Sequence, residues 1–360
     1  MTVGFFSPLP PIKSGVADYA AALLSALPGA TRVSADGDIN LYHLGNNQLH
    51  REIFERAMAR PGVVVLHDAV MHHFYLGSMT RADYLNAFTA NYGAWHRGMA
   101  EQLWEQRPRS ASDERYFRWP MLKAIASTAR AVIVHTEAAR QAVLKEAPSA
   151  QVEVIPHLPL PALPPDAVEV ERWRHARGIL PSHTLFGLMG FLRESKRVQT
   201  VLRAFQKLAA HRQDIHLLVA GEIGSFDLAR AIAPLLVHAR IHQVEHAPEQ
   251  QLQLLASACD VGVNLRYPSA NESSGMTARW TRLSRPVLVT ESDDIPEAAC
   301  PRVPAGPAEQ ETLEAFMLWL ADSPVRRREC GRLAAEWAAN QPSLEAVAQR
   351  YWRVLEQCRS

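Results

Sequence analysis

The stretch NLRYPSANESSGMTARWTRLSRPVLVT, Asn264 to Thr290, contains a strand end, a loop, a helix and a further strand in immediate succession. Its first strand is the end of VGVNLR (261–266), its second is PVLVT (286–290), and the helical text between them follows Glu272-Ser273-Ser274-Gly275. Two β-branched runs joined through a helix form the unit of a parallel sheet, because parallel neighbours need a crossover connection rather than a tight turn. Outward from this unit the same alternation recurs. TLFGLMG (184–190) and IHLLVAGE (215–222) precede it, and the first half of the chain has TVGFF (2–6), INLYHL (39–44), GVVVLH (62–67), AVIVH (131–135) and VEVIP (152–156). Several of these runs lack polar alternation, as expected of strands covered by helices on both faces. Between the two series lies HLPLPALPPDA, where Pro159, Pro161, Pro164 and Pro165 forbid a helix or central strand. The chain therefore divides into a first α/β domain (1–158), a proline-rich linker (159–166), a second α/β domain (167–340) and a closing helix (341–360). In that tail Leu344, Val347, Ala348, Tyr351, Trp352 and Leu355 recur at helical spacing behind a Ser343 N-cap. The helix is expected to pack back toward the first domain.

Composition removes several classes of function. A chain of 360 residues with 48% hydrophobic and 21% charged residues can bury two ordinary cores. Lys and Arg total 38 against 37 Asp and Glu, a formal net charge of +1, so no global positive field points to nucleic acid. No apolar run reaches the roughly 20 residues of a membrane-spanning helix. The opening MTVGFFSPLPPIKSG lacks the basic-then-apolar layout of a secretion signal, so a cytoplasmic protein is expected. Cys259, Cys300, Cys330 and Cys358 have no CxxC spacing and imply neither a zinc knot nor a disulfide scaffold.

Open α/β sheets bind ligands beyond the carboxyl ends of their strands, so chemistry is expected at the strand ends, in a cleft between the domains. After the first strand a proline-rich loop closes on Gly15 and enters a helix near Val16 or Ala17. This is either a tight turn or a helix N-terminus offering N–H groups to a phosphate or sugar oxygen. His67 and Asp68 end a strand, with His72 and His73 following. His67 is a candidate for catalysis, Asp68 and His72 for the acceptor side, and a satisfied histidine with a helix cap is the plain reading of the same residues. Four such side chains could hold a metal by ligand type, but their spacing fits no metal signature, and none is expected. Asp36-Gly37-Asp38 reads as a turn. In the second half Gly190 leads into FLRESKR, which delivers Arg193 and Lys196 beyond a strand end, a pair suited to a diphosphate or else a solvated basic turn. Glu272 precedes a helix start at which Ser273, Ser274, Gly275 and Met276 could present N–H groups to an anion or to sugar hydroxyls, or serve as an ordinary N-cap.

FFSPLPPIKSGVADY, PGVVVLHDAVMHH, AVIVHTEAAR, GFLRESKR and LRYPSANESSGM before RPVLVT, taken together and in this order, resemble the family 4 glycosyltransferases of the GT-B fold, particularly bacterial enzymes of surface-polysaccharide assembly. The resemblance spans nearly the whole chain. It implies two Rossmann-like domains, the first meeting the acceptor and the second the donor. It further implies transfer of a sugar from a nucleotide-diphosphate donor with retention of configuration, and no metal or other cofactor. The SGVADY-type start leans toward mannose-family donors such as GDP-mannose. Carried over by motif, Gly15 lies in the loop approaching donor phosphates or acceptor, His67 near the transferring sugar, and Arg193 and Lys196 at the diphosphate. Glu272 resembles the first glutamate of the family's E-x7-E motif, with Ser274, Gly275 and Met276 supplying N–H groups. The second glutamate is replaced by Trp280.

Two other readings compete. One is a nucleotide-sugar hydrolase or epimerase on the same fold, with His67 or Asp68 as general base. The other is a catalytically silent nucleotide-sugar binder, motivated by Trp280. The segment from Trp95 to Lys123 mixes Trp104, Tyr116, Phe117 and Trp119 with five arginines, which fits either an interfacial helix touching the inner membrane surface or an ordinary helix pair with its aromatics buried. The partners expected are a nucleotide-diphosphate sugar and a saccharide or lipid-linked acceptor.

Overall fold

The computed structural model describes residues 1–158, 166–245, 247–290 and 295–359. The chain separates into two compact units, Met1–Pro159 with Pro268–Ser273 and Pro342–Ser360, and Leu160–Tyr267 with Ser274–Gln341. Each is built on one six-stranded parallel sheet. In the first unit the strands are β1 (Thr2–Phe6), β2 (Ala30–Val33), β3 (Ile39–Leu44), β4 (Val63–Leu66), β5 (Ala131–Val134) and β6 (Val152–Val154). They lie in the order β2-β1-β3-β4-β5-β6. In the second they are β7 (Thr184–Met189), β8 (Ile215–Ala220), β9 (Ile241–Val244), β10 (Val261–Asn264), β11 (Val287–Thr290) and β12 (Arg302–Val303), in the order β12-β11-β10-β7-β8-β9. The fold is α/β with two parallel sheets. The linker expected at 159–166 lies outside the described residues up to 165. Asp166 caps the helix Ala167–His175 by accepting from Val168 N.

The unbroken apolar runs have the expected cause. Alternate residues of β3, β4 and β5 enter different cores: Tyr42, Leu44, Val64, Leu66, Val132 and Val134 join one, while Leu41, Val63, Val65, Ala131 and Ile133 join the other. The closing helix Leu344–Gln357, capped by Ser343, buries Val347, Ala348, Tyr351 and Leu355 in the second of these. There the Tyr351 hydroxyl meets that of Tyr19 at 2.7 Å, tying it to the helix Gly15–Ala26.

Two details depart from the linear reading. Pro268–Ser273 belongs to the first unit, because Ala69 N donates to Ala270 O at 2.8 Å and Thr136 Oγ1 donates to Asn271 O at 3.1 Å. The strands β2, β9 and β12 were not read from sequence, and all three lie at sheet edges.

Candidate active site

At the carboxyl ends of the first sheet, β3, β4 and β5 each deliver a histidine. His43 Nδ1 is 3.0 Å from His67 Nε2, His67 Nδ1 is 3.2 Å from His135 Nε2, and His135 Nδ1 is 3.0 Å from the Ile155 carbonyl. That carbonyl can only accept, so the proton on His135 sits at Nδ1. For neutral rings every other proton then follows: His67 donates through Nδ1 and His43 through Nδ1. His43 Nε2 is left as a buried lone pair with no partner. Burial and neighbouring imidazoles lower His43 and His135 to about 3 and hold His67 well below the ordinary imidazole value, so the neutral assignment is coherent. The Tyr19 ring packs edge-on to His67 at 4.8 Å between centroids and lies 5.1 Å from His135 and 4.9 Å from His157.

The residues around this row have distinct places. Asp68 Oδ2 accepts from Asn46 N at 2.9 Å. His72 is fully buried; it donates from Nδ1 to the Trp119 carbonyl at 2.7 Å, and its Nε2 lies 2.8 Å from the Tyr84 hydroxyl. It is a core histidine with both nitrogens engaged, not a group presented to an acceptor. His73 is likewise held between Asn46 and the Ser110 carbonyl. Among the described residues no three His, Cys, Asp or Glu side chains are placed to hold a metal ion. Asp36 pairs with Arg56 and Arg60, and Asp38 accepts from Thr2 N, so the Asp-Gly-Asp turn is structural.

Gly15 is the first residue of its helix, behind Ser14, whose side chain accepts from Ala17 N. A Cβ at Gly15 would meet nothing within 4 Å, so this helix start has open space on its approach side. Glu272 lies in the excursion 268–273, where its Oε2 accepts from Ala270 N at 2.8 Å and Ser269 Oγ at 3.4 Å. Asn271, at φ 57°, turns the chain just before it.

In the second unit Gly190 closes β7 at φ 93°, a conformation that favours glycine. Lys196 folds back under it: the ammonium donates to Met189 O at 2.7 Å and the residue is only 7% exposed. A Cβ on Gly190 would stand 3.0 Å from Lys196 Nζ and 3.4 Å from Met276 Cγ. The turn after β7 and the start of the distant helix that carries Met276 thus converge where β7 ends, next to β10. Arg193 is exposed at the start of the same turn, whereas Arg197 is turned away into an ion pair with buried Glu309. The helix Gly275–Arg282 is capped by Ser274, whose Oγ accepts from Thr277 N. Asn264, ending β10, donates to both Ser274 Oγ at 2.9 Å and Thr277 Oγ1 at 2.8 Å. Asn264 was not singled out from sequence. It fixes the helix start whose first N–H groups lack intrahelical acceptors.

Trp280 is fully buried. Its ring lies on the sheet over Gly187 and Gly262; a Cβ at Gly262 would be 2.5 Å from Trp280 Cε3. Trp280 is a core residue of the second unit.

Of the aromatics between Trp95 and Lys123, Tyr116 is buried and Trp119 packs edge-on to Tyr92 at 4.7 Å between centroids, while Trp95 is fully exposed. The arginines there are mostly paired: Arg97 with Glu101, Arg115 with Asp113, Arg118 with Glu114, and Arg107 over Trp104. No helix of the described residues is long and apolar enough to cross a membrane.

No family model matches the chain, and no curated protein matches it. Solved structures do. HepE from Anabaena in complex with UDP-glucose has a TM-score of 0.64 at 13% identity, over 99% of this chain and 100% of its own. Sucrose-phosphate synthase from Thermosynechococcus elongatus gives 0.66 at 14% identity over 99% and 98%. WaaG, a glycosyltransferase involved in lipopolysaccharide biosynthesis, gives 0.61 at 14% identity over 98% and 99%. The chain has the GT-B fold of these structures.

Proposed function

We propose that this protein is a retaining glycosyltransferase that moves a hexose from a nucleotide-diphosphate donor to a saccharide or lipid-linked acceptor in surface glycan assembly. The observation that carries the reading is buried Lys196 beside Gly190 and Met276. A desolvated cation under a glycine without a side chain, next to a capped helix start, fits a diphosphate better than it fits a solvated turn. The second unit would hold the donor, with Arg193 and Lys196 taking charge on the departing diphosphate and Gly275 and Met276 offering N–H groups to it. The first unit would meet the acceptor near Gly15, Asp68 and the His67 row, and Glu272 would accept hydrogen bonds from sugar hydroxyls. In this reading the bond from the anomeric carbon to the phosphate oxygen breaks. The acceptor oxygen then bonds to the same face, and its proton passes to the leaving phosphate oxygen. No protein nucleophile and no metal or other cofactor is invoked. The work would be done in the cytoplasm, with the acceptor reached at the inner membrane surface when it is lipid-linked. The start of the chain favours GDP-mannose, while the similar HepE structure holds UDP-glucose.

The test is thermal stabilisation by GDP, UDP, dTDP and ADP and their sugars, for wild type and Lys196→Ala. A ligand at a hundredfold excess over its Kd stabilises by about 2.7 kcal/mol. One nucleotide series should raise the wild-type melting temperature, and the shift should collapse in the variant. A flat panel at saturating concentrations would remove the donor site and the transferase reading with it.

A further inference from the structure

We propose that His43 and His135 are positioning residues whose joint task is to hold the His67 imidazole neutral and in a single tautomer at the end of β4. The inference rests on the glycosyltransferase reading for its consequence, though not for its geometry. The Ile155 carbonyl sets the direction of the row, and both nitrogens of His67 are consumed within it. The side chain is partly exposed, yet it has neither a free proton to give nor a free lone pair to accept one. An acceptor hydroxyl or a water arriving there finds no general base in His67. This counts against hydrolysis or epimerisation driven by His67 and agrees with proton transfer to the leaving phosphate.

The reason to keep His67 neutral lies in the transition state. Glycosyl transfer builds positive charge on the sugar ring. An imidazolium beside that ring would oppose it, and an ordinary imidazole gains a proton at about pH 6.5. The groups facing His67 are His43 from β3, His135 beyond β5, His157 beyond β6 and Tyr19 from the helix Gly15–Ala26, with Tyr351 behind Tyr19 and His50 beyond His43. The neighbouring Asp68 is turned to Asn46 N. The row thus surrounds His67 with imidazoles and tyrosines, and a proton added to it cannot leave through His135, because the Ile155 carbonyl takes none.

The experiment uses the full chain labelled with ¹⁵N-histidine, as wild type, His135→Leu and His135→Gln, with long-range proton–nitrogen spectra and transfer rates across about pH 5 to 8. In wild type His67 should carry its proton on Nδ1 alone and not titrate. In His135→Leu the proton should be free to move to Nε2 and His67 should titrate at a higher pH than in wild type, though burial still holds it below the ordinary imidazole value, and kcat should fall toward low pH with KM little changed. Gln places an amide oxygen near the lost Nε2 and should restore both behaviours. A wild-type His67 protonated on Nε2, or titrating above about pH 5.5, overturns the proposal even if neither variant folds. So does a His135→Leu pH profile identical to wild type. Absence of any transfer by wild type would fall on the glycosyltransferase reading alone, since the spectra still decide the clamp.

Discussion

Each sheet is crossed by a row of three histidines, and the two rows lie at opposite strand ends. In the first unit His43, His67 and His135 gather where β3, β4 and β5 finish. In the second His183, His216 and His242 gather where β7, β8 and β9 begin, with ring nitrogens 3.0 and 3.1 Å apart and rings stacked at 5.1 and 5.3 Å. Both are in part acid-averse: burial lowers His216 to about 4, as it lowers His43 and His135 to about 3. They differ in surroundings. The first row ends on a carbonyl and is covered by Tyr19. The second is flanked by Arg174, Arg177 and Arg240, whose charges further disfavour protonation. The same side-chain chemistry therefore serves two ends of similar sheets, and only one end is where open α/β folds take ligands. Under the proposed function, position on the strand, rather than residue type or pKa, separates the two rows.

The largest effect that can break this comparison is on turnover. Lys196→Ala, at a strand's carboxyl end, should lower the transfer rate by about 10²–10³-fold, as loss of a group that stabilises developing charge does. His216→Leu, at the opposite end of the same sheet, should leave the rate of the folded fraction within about twofold, since distant sites with no shared partners act independently. Steady-state rates normalised to folded protein decide it. Equal losses would mean that strand end carries no functional information here.

Stability against pH comes next, and here the rows should behave alike. Below about pH 6.5 the unfolded chain takes up protons that the buried rings refuse, so their contribution is complete above that pH and is lost as pH falls toward the folded values. His43 and His216, each held well below the ordinary imidazole value, contribute a slope of up to about 1.4 kcal/mol per pH unit apiece. His43→Leu and His216→Leu should each flatten the dependence by about that amount between pH 6.5 and 4, read from urea melts at several pH values. A flattening in one unit only would show that the rows are not electrostatic equivalents.

The same contrast explains what was legible in the sequence. Central strands announce themselves as apolar runs because both faces are covered; β2 is mostly exposed, β9 is half polar along its length and β12 is two residues long, so these edge strands carry no such run. His67 drew notice because it ends an apolar strand together with Asp68, with His72 and His73 following. His43 and His135 did not, because parallel register rather than sequence proximity brings them together, although INLYHL, GVVVLH and AVIVH all place a histidine at or near the end of an apolar run. His72 looked like part of a site and is core. Trp280 looked like a loss and is a packing solution, made possible by Gly187 and Gly262 on adjacent strands. Lys196, Gly190 and Met276 were each singled out, but only the backbone turn at Gly190 reveals that they gather at one strand end.

A smaller test concerns the cover over the first row. Tyr351→Phe leaves the Tyr19 hydroxyl buried without its 2.7 Å partner, which should cost about 1–3 kcal/mol as an orphaned polar group. Because Tyr19 meets the histidines through its ring, the transfer rate of the folded fraction should hardly move. A rate loss without a stability loss would mean that the closing helix reaches the site by another route.

The finest distinction is tautomeric. The carbonyl of Ile155 leaves the first row one arrangement of protons. No such acceptor terminates the second row among the described residues, so neutral rings there can shift both shared protons together in either direction. Wild-type spectra near pH 8 should show single tautomers for His43, His67 and His135 and averaged nitrogen shifts for His216 and His242. The energy separating the two arrangements of the second row should be no more than about RT, or 0.6 kcal/mol, against a whole buried hydrogen bond in the first. If both rows give single tautomers, the fixed direction at β4 reflects ring stacking in general, and the special standing of the carbonyl disappears.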